Sequence, residues 1–138
     1  MAEQPPSDRV TPIPRALRLM AFLAAMAVVL WGTLAPEHDL PKLNVWDKAE
    51  HALAFFGLTF LGVWAMPHLR LRIAAAMVAL GAAIEVAQAT MPLGRDGDIK
   101  DLLADSMGVA LGLAVALAAR EILHRLWPLI QRRLSREP

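Results

Sequence analysis

The chain has 138 residues, 57% of them hydrophobic and 20% charged, with a mean hydropathy of +0.44 and a formal net charge of +1. Such a composition is too apolar for a soluble domain of this length and is that of a membrane protein. Cysteine is absent, which excludes a disulfide framework, a thiolate metal site and a cysteine nucleophile.

Residues 1–14 are polar and rich in proline, and nothing in them builds a core, so a disordered tail is expected there. After Arg15 and Arg18 an apolar run from Leu19 to Pro36 predicts a first spanning helix. That run is longer than the core of a signal peptide and TLAP is a poor cleavage exit, so the helix is expected to be retained. A loop, APEHDLPKLNVWDKAEH, leads to a second, shorter apolar run from Ala52 to Pro67. Asp47 is placed to cap that helix, and His51 falls on the same helical face as Asp47 and Phe55. Because the uncharged part is short, the end bearing Glu50 and His51 is expected to sit in protein or water.

HLRLR is a short turn into the third apolar run, Ile73 to Gly94, interrupted only by Glu85. Gly81, Glu85 and Gln88, at spacings of four and three, share one face of the helix. A loop with Arg95, Asp96, Asp98 and Lys100 follows, and the fourth run, Leu102 to Ala119, is interrupted only by Asp105. Asp98 and Asp101 suit the N-terminus of that helix, where free backbone amides favour carboxylates. Asp105 is too far along to be a cap. It repeats the face of Asp101, which Gly108 and Gly112 continue as a small-xxx-small surface for close helix packing. Residues 120–138 read as a basic, partly amphipathic extension broken at Pro128, giving a membrane domain over 15–127 and a basic tail over 128–138.

The expected fold is therefore all-α, a polytopic membrane protein of four transmembrane helices. Ten Lys and Arg fall in the two tails and the middle loop, and four in or beside the loops at 37–50 and 92–101. The positive-inside rule then puts both termini in the cytoplasm and those two loops outside. Trp31 and Trp46 near one interface, and Trp64 and Trp127 near the other, agree with that placement. The basic residues form no stripe with interleaved aromatics, so nucleic acid is not an expected partner, whereas anionic lipid headgroups are natural neighbours of the RRLSR tail. Nothing in the sequence reads out an oligomeric state or a cofactor.

This topology gathers one polar set toward the outer side: Asp47, Lys48 and His51 from the second helix, Glu85 and Gln88 from the third, Arg95 from the loop, and Asp98, Asp101 and Asp105 from the fourth. Three readings of it compete. A structural network would neutralise the carboxylates with Arg95 and Lys48. A binding or catalytic pocket would use His51 and Glu85 as acid and base, with Asp101 as a further candidate partner and the remaining residues binding ligand. A metal site would draw on His51, Glu85 and Asp105, although the HExxH and HxxEH spacings are missing. Ser106 lies within a helix without nucleophile-elbow glycines, which argues against a serine triad.

DKxxH at 47–51 with an aromatic at 55, GxxxExxQ at 81–88, Arg95, and DxxxDxxGxxxG at 101–112 together resemble the VanZ-like family of small bacterial membrane proteins. The resemblance covers about the last three helices; the first helix and both tails carry no signature of it. It implies a polytopic helical protein of the bacterial inner membrane with a role in envelope physiology or in tolerance of teicoplanin-type glycopeptides. Where the family commonly carries Asn in a DxxxNxxG pattern, this chain has Asp105, an additional acid.

Overall fold

The computed structural model describes residues 13–35, 47–91 and 97–134. Residues 1–12 of the expected tail at 1–14, Trp46, Pro92 to Asp96 with Arg95, and the end of the basic tail at 135–138 lie outside the described residues, as do the side chains of Asp47 and of 129–134. Four α-helices carry the fold: α1 (Arg15–Leu34), α2 (Asp47–Ala65), α3 (Arg70–Thr90) and α4 (Ile99–Leu134), with a single 3-10 turn, Pro67–Leu69, between α2 and α3. All regular structure among the described residues is helical.

Three helical segments are long and apolar enough to cross a membrane: Arg15–Leu34, Pro67–Thr90 and Ile99–Pro128. The expectation of four spans is met in that coarser form. The segment that falls short is α2, because Lys48, Glu50 and His51 occupy its first turns. Yet α2 is the centre of the bundle. It packs most extensively on α4 and also touches α1 and α3. Its Phe55, Leu58 and Thr59 are among the most deeply buried side chains.

Each helix presents a narrow stripe inward at spacings of three and four. On α3 the stripe is Ile73, Met77, Gly81, Ile84, Glu85 and Gln88. On α4 it includes Asp101, Ala104, Asp105, Val109 and Ala116. The outer faces carry exposed Leu17, Met20, Leu23 and Val28 on α1, and Leu103, Met107 and Leu111 on α4. So much contiguous apolar surface is unfavourable in water and favourable against lipid.

The helix directions follow from contacts at their ends. Arg18 near the start of α1 donates from Nη1 to the Trp64 carbonyl near the end of α2 at 2.8 Å, so α1 and α2 run opposite ways. Gln88 near the end of α3 donates from Nε2 to the carbonyl of Thr33 near the end of α1 at 2.8 Å, so these two run alike. Lys48 at the start of α2 reaches Asp98 and Asp101 at the start of α4.

Two sequence expectations change. Arg15 and Arg18 do not precede the first helix but open it, and Arg18 is buried. Its guanidinium serves the Trp64 carbonyl in the last turn of α2, where the negative end of the helix dipole favours a cation. Pro128 does not interrupt the last helix, for α4 runs through it to Leu134, and the boundary drawn between 127 and 128 falls inside one element. A proline removes a single backbone donor and crowds the carbonyl four residues back, and so late in a 36-residue helix that loss does not end it.

Candidate functional site

Glycines let the helices bearing the polar groups come together. A Cβ on Gly108 would collide with the carbonyl of Ala52, and one on Gly112 would stand 2.5 Å from the carbonyl of Phe56. At these two positions α4 therefore packs backbone to backbone on α2, which brings Asp101 and Asp105 up to the turn bearing Lys48 and His51. Gly81 on α3 instead makes room for a side chain, since a Cβ there would lie 2.8 Å from Asp105 Oδ2.

The polar groups form two layers. In the outer layer Lys48 Nζ donates to Asp101 Oδ1 at 2.7 Å and to Asp98 Oδ2 at 3.1 Å, strapping the start of α2 to the start of α4. These side chains are partly open, at 24% for Lys48, 39% for Asp98 and 10% for Asp101. Asp98 also caps α4, accepting from the Lys100 amide at 2.9 Å. Its own amide donates to Glu85 Oε2 at 2.7 Å. The bond that a capping box takes from the third residue of its own helix is thus supplied by α3, and Asp101, freed of that task, holds Lys48. The Lys100 amide, and after it Lys48, hold the Asp98 carboxyl below the usual carboxylate range.

Beneath the strap lies the inner layer of His51, Glu85 and Asp105, all buried. His51 Nδ1 is 3.0 Å from Asp105 Oδ1, a pair that is ionic when the imidazole is protonated. The donor atoms of the three residues lie within 4.8 Å of one another. Glu85 Oε1 and Asp105 Oδ2 are buried without a hydrogen-bond partner.

Residues 7–122 match the family model described as VanZ/LLP1. The chain belongs to the VanZ/LLP1 family. The match takes in α1 as well as the three helices that carry the motif resemblance. No curated protein and no solved structure matches this VanZ/LLP1 chain.

Of the residues expected in the polar set, Lys48, His51, Glu85, Asp98, Asp101 and Asp105 come together; Arg95 and the Asp47 side chain lie outside the described residues. Gln88 lies on the same face of α3 but turns to α1, where it holds Thr33. Ser106 donates to the Leu102 carbonyl at 2.8 Å, an ordinary helix-backbone bond with no link to His51. Sequence reasoning missed the Thr33 carbonyl, since a backbone acceptor has no residue signature. It also missed the burial of Arg18, although a charge three residues into a helix that is otherwise apolar was a usable signal. At the opposite end of the bundle a cavity of about 440 Å³ is lined by His68, Arg70, Arg72 and Arg120 together with Pro67, Leu69 and Leu71.

Chemically, the inner layer offers an imidazole oriented by a carboxylate, with a second carboxylate in reach. That arrangement can relay a proton, accept a hydrogen-bonding ligand or hold a cation.

Proposed function

We propose that the chain acts in cell-envelope physiology from the bacterial inner membrane, with the polar centre facing outward, and that tolerance of teicoplanin-type glycopeptides is one outcome of that activity. The observation that carries the reading is the convergence of His51, Glu85 and Asp105 from three helices beneath the Lys48, Asp98 and Asp101 strap. Ionisable groups at such depth are costly to keep in a membrane protein and mark function by default. In this reading α2 is a fourth span of about 28 Å, close to the roughly 30 Å of a bilayer core. Lys48 in its first turn is matched by Asp98 and Asp101 of the α4 end instead of being exposed to lipid. Both termini are cytoplasmic, because ten of the fourteen Lys and Arg fall on that side. The partners are membrane lipids and an envelope or glycopeptide ligand.

A second reading, an acid/base or metal-assisted enzyme acting on an envelope or lipid-linked substrate, is favoured by the unpartnered Glu85 Oε1 and Asp105 Oδ2, which a passive packing network would satisfy. In both readings His51 is indispensable. A deletion strain complemented with the parent, His51→Ala or Glu85→Gln is compared for teicoplanin susceptibility and envelope integrity, with membrane abundance measured alongside. Variants present at parental level yet behaving as the deletion are expected. Full complementation by both would reduce the chain to a helical scaffold.

A further inference from the structure

We infer that His51, Glu85 and Asp105 form a binding site for one divalent transition-metal cation of the Mn2+ or Zn2+ class. The inference rests on the polar centre described above and adds what occupies it. Three ligand residues on three helices bring one donor atom each within 4.8 Å of the others, with exposures of 8%, 8% and 0%. A second observation points the same way independently. Two carboxylate oxygens of the set, Glu85 Oε1 and Asp105 Oδ2, are buried with no hydrogen-bond partner. Buried oxygens of this kind are normally satisfied by a donor, a water or an ion.

The charge sum agrees. With a neutral imidazole the set carries two negative charges. Among the described residues no lysine or arginine pairs with Glu85 or Asp105, and Lys48 is taken by Asp98 and Asp101. A dication brings the centre to neutrality, which removes most of the cost of desolvating two carboxylates together. The donor types select the ion. One imidazole with two carboxylates and no thiolate suits Mn2+, Fe2+ or Zn2+, and the imidazole nitrogen disfavours Ca2+, a hard cation that takes oxygen ligands. Metal bonds of about 2.0 to 2.2 Å put tetrahedral donors about 3.3 to 3.6 Å apart, so donor separations of up to 4.8 Å must shorten by up to about 1.5 Å for the set to close on an ion. Asp98 and Asp101 in the strap above give an entering cation an acidic approach.

The rival occupant is a single proton shared between Glu85 and Asp105, and the test separates the two. The full chain is purified in detergent, stripped with EDTA, and equilibrated with Mn2+ or Zn2+. Bound metal is measured by mass spectrometry and, for Mn2+, by the electron paramagnetic resonance signal. The parent is expected to retain one equivalent and to gain several degrees in Tm. The near-isosteric Glu85→Gln and Asp105→Asn variants, together with His51→Ala, are expected to lose affinity by at least about tenfold, while the exposed Glu121→Gln keeps it. No retained metal and no Tm gain in the parent overturns the site and leaves the shared proton, and this readout needs no variant to fold. Equal metal binding by parent and variants also overturns it, as binding elsewhere. The envelope phenotype is scored separately. A parent that binds no metal while His51→Ala still loses the phenotype removes the cation and keeps the proposed function. A metal-binding parent whose variants keep the phenotype does the reverse.

Discussion

At the scale of single residues, Asp105 shows how burial changes what a side chain can be exchanged for. It is fully buried, holds His51 through one oxygen and leaves the other against Gly81. Asp105→Asn keeps the size and the acceptor while removing a charge that is expensive to desolvate, so in metal-free detergent solution Tm is expected to hold or rise. Asp105→Leu removes the carboxylate that His51 Nδ1 faces at 3.0 Å, at a cost of about 1 to 3 kcal/mol, more when the imidazole is charged. Equal, large Tm losses for both variants under chelator would show that the carboxylate charge itself is structural. Asp98 supplies a pH dependence. An acid with a depressed value stabilises the fold above its unfolded value and ceases to as pH falls through the folded one. The strap is therefore expected to hold above about pH 4 and to loosen as the solution is made more acid. Hydrogen exchange in the first turns of α2 and α4 reads this directly; loosening centred near neutrality would show that a group other than Asp98 controls the strap.

At the scale of elements, the α2 and α4 contact is set by the absence of side chains. Gly108→Ala drives a methyl into the Ala52 carbonyl, and Gly112→Ala drives one against Phe56, so either is expected to separate the helices and reduce folded protein. Gly32→Ala is the matched control. Nothing lies within 4 Å of that position, and exchanging a helical glycine for alanine stabilises by about 0.5 to 1 kcal/mol. Size-exclusion profiles and melting of the three variants in one detergent decide the matter, and similar behaviour at positions 32 and 108 would refute the close approach. A change on α4 would reach the polar centre, because Gly108 and Asp105 lie on one stripe.

At the scale of the whole molecule, the two ends differ in charge. One collects the strap and the buried acids, the other the cavity with His68, Arg70, Arg72 and Arg120. That asymmetry yields the topology prediction. Reporters fused after residue 40 and after residue 96 are expected to report the outer side, and a fusion at the C-terminus the cytoplasm. Activity of a cytoplasm-only reporter at residue 40 or 96 would invert the protein and turn the polar centre inward.

Hydropathy, the spacing of Gly81, Glu85 and Gln88, and that of Asp101, Asp105, Gly108 and Gly112 were enough to read an all-helical membrane protein and the faces its helices bury. These are properties of one helix at a time, and a period of 3.6 residues can be read along a single segment. Which carboxylate met which donor was a different question. Lys48 could have taken Glu85, and His51 could have taken Asp101; the pairing with Asp98 and Asp101 above, and with Asp105 below, depends on how far α4 slides along α2 before Gly108 and Gly112 meet backbone. The amide of Asp98 on Glu85, the carbonyl of Thr33 on Gln88 and that of Trp64 on Arg18 involve backbone groups that every residue owns. No residue type announces such a bond, so only the packed helices decide it.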